Sequence, residues 1–280
     1  MSALGIVRAA RRPPGWIAPG PRPPGVPALG PRLGEDLCYL AGEWRILQRI
    51  DGHRWSLDDL VTASFAAHET AAEPPRAIVD LGCGIGTVLL LLAWRFPDAR
   101  CLGVEAQAVS VDLARRSIAW NGAGERCEVR AGDLRDAAVI PEERAFDLVT
   151  GTPPYLPRGT ATPSRRVQCG PCHLEYRGGI EAYCLAAERL LTPAGRFVVC
   201  QAAAQPDRVS RAAAAAGLAI ERTRDVVPRD GKAPLFSVYA MRRLGDVSAP
   251  VVEPPLVVRD AAGRRTDAFR ALRADMGMPP

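Results

Sequence analysis

An α/β domain built on a mainly parallel, seven-stranded sheet with helices on both faces is predicted by three features of the sequence. Short apolar runs alternate with helix-length amphipathic segments through the middle of the chain. A glycine-rich turn, Asp80-Leu81-Gly82-Cys83-Gly84-Ile85-Gly86, joins one such run to the helical segment after it. Two final apolar runs have no helix between them, which predicts an antiparallel strand at the C-terminal end. Strands alternating with helices pair in parallel and need cover on both faces.

The strands are expected at 77–81, 101–104, 127–129, 146–149, 196–200, 219–226 and 235–243. Helices are expected at 87–96, 108–120, 180–191 and 207–216. They form a domain over 76–243. Before it, 35–75 reads as an N-terminal segment with one helix. That helix starts at Ser56-Leu57-Asp58-Asp59, where Ser56 is the N-cap and Asp59 closes a capping box. Residues 1–34 are rich in Pro, Gly and Arg and read as a disordered or polyproline-like tail. A misassigned start and a basic arm that touches RNA are the alternatives. Residues 244–280 read as a C-terminal extension, too short for a domain, that packs along the main one.

Composition narrows the function classes. The 280 residues are 48% hydrophobic and 24% charged, as expected of a soluble globular protein. A net charge of +5 permits a polyanionic partner without requiring one. The eight cysteines are scattered rather than arranged as a dense disulfide framework, so reduced thiols in a cytoplasm are expected. No apolar run reaches the length of a bilayer span, and no secretory leader is read at the start.

The turn after Asp80 carries the first chemical signal. Glycine lets the backbone turn sharply and approach a ligand where a Cβ would clash. The following helix N-terminus adds free amides and partial positive charge. In the nicotinamide fingerprint G-x-G-x-x-G the third glycine would fall at Thr87. Here Gly82, Gly84 and Gly86 alternate strictly after an acid. Glu105 ends the second strand of the domain, where a carboxylate can accept from both hydroxyls of a ribose. Asp133 follows the third strand and can accept from an adenine amino group, with the Leu134 amide facing the ring. Asp80, Gly82, Cys83, Gly84, Gly86, Glu105, Asp133 and Leu134 are therefore the candidate cofactor-binding residues.

The fourth strand runs into Gly151-Thr152-Pro153-Pro154-Tyr155. The acidic glycine turn resembles the first motif of class I S-adenosylmethionine-dependent methyltransferases, and the loop resembles the (Asn/Asp/Ser)-Pro-Pro-(Tyr/Phe) motif of those that methylate planar nitrogens. The resemblance implies a Rossmann-like fold, S-adenosylmethionine as cofactor, and Thr152, Pro153, Pro154 and Tyr155 as catalytic residues. An amine conjugated to a ring is a poor nucleophile. Accepting its hydrogens through the first side chain and a proline carbonyl restores electron density, while the aromatic ring positions the substrate. Thr152 departs from the common Asn, because a hydroxyl replaces a planar carbonyl acceptor.

Arg54-Trp55-Ser56-Leu57-Asp58, the Asp80 turn, the Pro-Pro-Tyr loop, Leu190-Leu191-Thr192-Pro193-Ala194-Gly195-Arg196 and Pro255-Leu256-Val257-Val258 through Thr266 are together similar to the bacterial tRNA(Val) adenine-N6-methyltransferase family. The same loop serves enzymes that methylate glutamine N5 of release factors and guanine N2 of rRNA. Glu175-Tyr176-Arg177-Gly178-Gly179 is similar to a segment of the glutamine enzymes. RNA, with tRNA foremost, is the expected partner; a protein substrate and a non-catalytic binding module are the alternatives. Arg158, Arg165, Arg166 and Arg177 lie beside the catalytic loop and suit phosphate contacts. Cys169-Gly170-Pro171-Cys172-His173 imitates redox, haem and zinc signatures. It reads as incidental loop cysteines, with zinc held by Cys169, Cys172, His173 and Cys184 as the alternative, so no metal is expected.

Overall fold

The computed structural model describes residues 19–22, 24–26, 29–156, 168, 174–245 and 249–279. The chain begins with an antiparallel hairpin, β1 (Glu35–Ala41) and β2 (Trp44–Arg49). Helix α1 (Leu57–Glu69) follows, and its capping box forms, with the Asp59 carboxylate accepting from the Ser56 amide at 2.9 Å. The described part of residues 1–34 touches the body: the Arg22 amide donates to the Trp120 carbonyl at 2.8 Å, and Leu29 packs against the core.

The central sheet collects β3 (Ala77–Leu81), β4 (Arg100–Glu105), β5 (Cys127–Ala131), β6 (Phe146–Gly151), β7 (Leu191–Ala202), β8 (Leu218–Val227), β9 (Phe236–Arg243) and β10 (Val251–Val257). Their order is β10-β8-β9-β7-β6-β3-β4-β5. β9 is antiparallel to both its neighbours, while the other pairs are parallel. The expected seven strands are all present, and an eighth corrects the count. Val251–Val257, placed by sequence in the extension, pairs with β8. Prolines 254 and 255 interrupt the pairing register there, which an edge strand tolerates because no ladder continues beyond it.

Helices cover both faces. α1, α2 (Thr87–Arg95) and α3 (Ala108–Trp120) belong with one apolar cluster, and α4 (Ile180–Leu190) and α5 (Pro206–Ala215) with the other. Residues Val88–Leu92 are buried all round, as befits a helix sandwiched between the sheet and α1. The C-terminal helix α6 (Asp267–Asp275) is capped by Thr266 and sends Met276 and Met278 into the first cluster. Just beyond it the Gly277 carbonyl accepts from Tyr39 Oη at 2.7 Å and from the Gly42 amide at 2.8 Å, joining the tail to the hairpin. Among the described residues, no helix is long and apolar enough to cross a membrane.

Strand order reverses around β3, whose neighbours are β4 on one side and β6 on the other. The carboxyl edge at such a switch point leaves a crevice where open α/β sheets bind ligands.

Candidate active site

A cleft of about 410 Å³ opens at this edge, within the usual range for a small-molecule site. One half is the turn between β3 and α2. The Cys83 amide donates to the Val104 carbonyl at 2.9 Å and the Gly86 amide to the Cys83 carbonyl at 2.8 Å, which fixes the turn against β4. Gly82 and Gly84 both have positive φ, and their reasons for being glycine differ. A Cβ on Gly82 would strike the Tyr183 hydroxyl of α4, whereas one on Gly84 would meet none of the described residues within 4 Å. Gly84 thus leaves room for a ligand, and Gly82 leaves room for Tyr183.

Glu105 faces this turn from the end of β4. Its Oε2 accepts from the Gly84 amide at 2.9 Å and its Oε1 from the Gln107 amide at 2.6 Å. A carboxylate has about four acceptor positions, so these bonds do not exhaust it. Burial pushes its pKa up, opposed by the Gln107, Gly84 and Ala106 amides and by the Arg177 charge. A paired set of acceptors in a buried carboxylate suits a vicinal diol. Asp133 and Leu134 line the wall beyond Glu105. The Asp133 carboxylate already holds Arg135 in a bidentate pair, at 2.8 and 2.6 Å, which keeps its pKa below the usual range.

Two expected cofactor residues stand behind the wall instead of in it. Asp80 is 2% exposed, and its Oδ1 accepts from Thr150 Oγ1 at 2.8 Å. Burial raises its pKa to about 7. This carboxylate ties β3 to β6 under the turn. Gly86 begins α2, and a Cβ there would lie 3.2 Å from the Ala114 Cβ of α3. It permits close helix packing and does not line the cleft.

The other half of the cleft holds Thr152, Pro153, Pro154 and Tyr155. Gly151, which ends β6 just before them, is glycine because a Cβ would lie 2.6 Å from the Tyr183 ring. One tyrosine therefore packs beneath both motif loops. The Tyr155 hydroxyl is turned inward, 3.1 Å from Cys200 Sγ of β7 and 3.3 Å from Asp58 Oδ2 of α1. Burial, then Cys200 and Asp58, push its pKa well up, so it stays protonated and donates.

Asp58, Asp59, Ser56 and His53 also line the cleft, bringing the N-terminal segment into the site. From sequence Ser56, Asp58 and Asp59 signal a helix cap and a stretch of family resemblance, and none is singled out as a site residue. The Asp59 carboxylate is raised well above its ordinary range by burial and then by Asp58. Tyr176 and Arg177 close the rim. Gln168 is buried, accepts from the His53 amide at 3.1 Å and donates to Ser110 Oγ at 2.9 Å. Arg158, Arg165, Arg166, Cys169, Cys172 and His173 lie outside the described residues.

Residues 78–158 match a family model described as a methyltransferase domain. A tRNA1(Val) (adenine(37)-N6)-methyltransferase of Porphyromonas gingivalis is 28% identical over 52% of this chain and 57% of its own length. One of the same description from Tolumonas auensis is 27% identical over 77% of this chain and 86% of its own. A release factor glutamine methyltransferase of Mycolicibacterium smegmatis is 35% identical over 42% of this chain and 41% of its own. The chain thus spans little more than half of the first of these relatives. A solved structure described as a predicted O-methyltransferase from Agrobacterium tumefaciens superposes with a TM-score of 0.61 at 18% identity, covering 79% of this chain and 98% of that one. The fold is the Rossmann-like one seen in that structure, and it brings the glycine turn and the Pro-Pro-Tyr loop to one cleft.

S-adenosylmethionine, the cofactor of this class, fits the residues present. The open cradle over Gly84 accommodates the approach of its methionine part. Glu105 would hold its ribose, with Asp133 and Leu134 lining the same cleft.

Proposed function

We propose that this chain is an S-adenosylmethionine-dependent N-methyltransferase acting on an exocyclic amine of a base in structured RNA, with adenine N6 of tRNA as the target. One observation carries the proposal: Thr152, Pro153, Pro154 and Tyr155 share a single cleft with Glu105 and the glycine turn. The adenine-N6 description of the relatives from P. gingivalis and T. auensis supports the choice of RNA. The bound cofactor supplies an electrophilic methyl group on a sulfonium, open to a single in-line displacement. Thr152 Oγ1 and the Pro153 carbonyl accept hydrogens from the amine, which returns lone-pair density to nitrogen. Tyr155 holds a planar substrate by its ring, and its hydroxyl is already committed to Asp58 and Cys200. Positioning and preorganised acceptors then carry the rate. A cytoplasmic site of action belongs to the same proposal.

A second reading, methylation of a glutamine N5 in a protein, is favoured by the similarity to the M. smegmatis enzyme. A planar amide presents the same problem of a delocalised lone pair. Labelled-methyl transfer to total tRNA, rRNA and release factors separates the two. Label in N6-methyladenine of tRNA is the expected result; label only in protein glutamine would replace the proposal with the second reading.

A further inference from the structure

The sheet register brings two loops remote in sequence to the same edge as the cleft. Val226 pairs with Phe236, and Val257 with Val227. The β8–β9 loop, residues 228–235, and the segment after β10, residues 258–266, therefore both leave the sheet on the side where β6 delivers Thr152. They are fastened together. The Asp230 amide donates to the Arg259 carbonyl at 2.8 Å, and Gly263 sits at positive φ beneath the Arg229 guanidinium, 3.1 Å from where its Cβ would be. Leu235, at the end of the first loop, lines the cleft itself.

The charge on this pair of loops is one-sided. Arg229, Lys232, Arg259, Arg264 and Arg265 face two carboxylates, Asp230 and Asp260. Arg264 pairs with Asp260 at 2.9 Å. Arg229, Lys232 and Arg259 are exposed and form no salt bridge with a described residue. β8 and β10 lie three and four strands from β6, which at sheet spacing is roughly 14 to 19 Å along the edge. Arg177 marks the opposite rim of the cleft. A polyanion that placed one unit in the cleft would run its flanking charges over the two loops.

We propose that the 228–235 and 258–266 loops form a phosphate-binding ledge that holds the RNA backbone flanking the target nucleotide. This rests on the RNA reading of the active site. Backbone contacts of this kind set register and affinity but carry no sequence information. They also release counterions, so their number is read from the salt dependence of binding.

The test compares the unsubstituted chain with the triple variant Arg229→Gln/Lys232→Gln/Arg259→Gln, titrated with total tRNA over a range of salt. Arg76→Gln/Arg100→Gln, exposed at the opposite edge of the sheet, is the control. The triple variant should bind tRNA roughly tenfold more weakly, with a log–log salt slope shallower by about 2 to 3. The control should match the unsubstituted chain, and all three should keep their S-adenosylmethionine affinity. Lys232 is the only lysine in the chain, so tRNA should protect one side-chain amine from acylation in the unsubstituted protein. Equal salt slopes, or a Lys232 that acylates equally fast with saturating tRNA, would overturn the ledge while leaving the RNA substrate in place. Failure of the unsubstituted chain to bind or methylate any tRNA, with label entering a release factor, would instead overturn the active-site reading on which the ledge rests.

Discussion

The two halves of the cleft are built in different ways. The glycine-turn half is made of backbone: a tight turn, its amides and one carboxylate that receives them. Its parts come from two neighbouring strands, and the ligand's place is shaped by what Gly84 lacks. The acceptor half is made of side chains brought from distant segments. Tyr155 follows β6, yet its hydroxyl rests on Asp58 of α1 and Cys200 of β7. A backbone site is rigid because its hydrogen bonds belong to the fold. A side-chain site is only as well placed as its supports. Damage to the first half should therefore appear in cofactor binding, and damage to the second in turnover.

The sharpest way to break this division is Glu105→Ala. Two charge-assisted hydrogen bonds to a diol are each worth about 1.5–3 kcal/mol, and the Gly84 and Gln107 amides would lose their acceptor as well. S-adenosylmethionine affinity by calorimetry should drop roughly 100-fold or more. Retention of affinity within a few-fold would overturn the proposal that Glu105 holds the ribose.

A smaller effect, confined to the other half, is expected of Asp58→Ala. It removes one of the two partners of the Tyr155 hydroxyl and leaves the glycine turn untouched. Loss of one such bond costs about 1–1.5 kcal/mol, so kcat for methyl transfer should fall roughly tenfold at unchanged cofactor affinity. A matching drop in cofactor affinity would show that α1 serves the first half of the cleft and erase the distinction. Tyr155→Phe, which keeps the ring and loses both partners of the hydroxyl, should give an effect of the same size and no further loss when combined with Asp58→Ala.

The same contrast explains what the sequence could and could not disclose. The glycine turn, Glu105 and the Pro-Pro-Tyr loop are local patterns at strand ends, and strand alternation places such ends along one edge. They were legible. Asp58 and Asp59 carry a local signal too, but it names a helix cap and says nothing about which loop the helix will meet. Tyr183 reads as one more apolar residue of an amphipathic helix, although its hydroxyl occupies the space of a Cβ at 82 and its ring that of a Cβ at 151. Strand β10 was hidden by its prolines, which argue against a central strand and say little about an edge. Asp80 and Gly86 differ from these in where the fold puts them. They belong to the motif by spacing, but one is turned under the sheet edge and the other into a helix contact.

Asp80 gives the last expected effect, a small one on ligand binding together with a distinct one on stability. Its carboxylate is raised from an ordinary 3.8 to about 7 in the folded chain, chiefly by burial. Between those two values the folded state holds a proton that the unfolded state has released. The stabilisation this gives is complete below the lower value and is lost as pH rises through the upper one. One proton sets a limit of about 1.4 kcal/mol per pH unit. Asp80→Asn, neutral throughout, should flatten the fall in stability between pH 5 and 7 seen by chemical denaturation. Because the side chain is shut off from the cleft, S-adenosylmethionine affinity should change by no more than about threefold, less than 1 kcal/mol. A loss on the scale of Glu105→Ala would mean that the Thr150–Asp80 tie sets the shape of the turn, and that the backbone half of the site depends on a buried side chain after all.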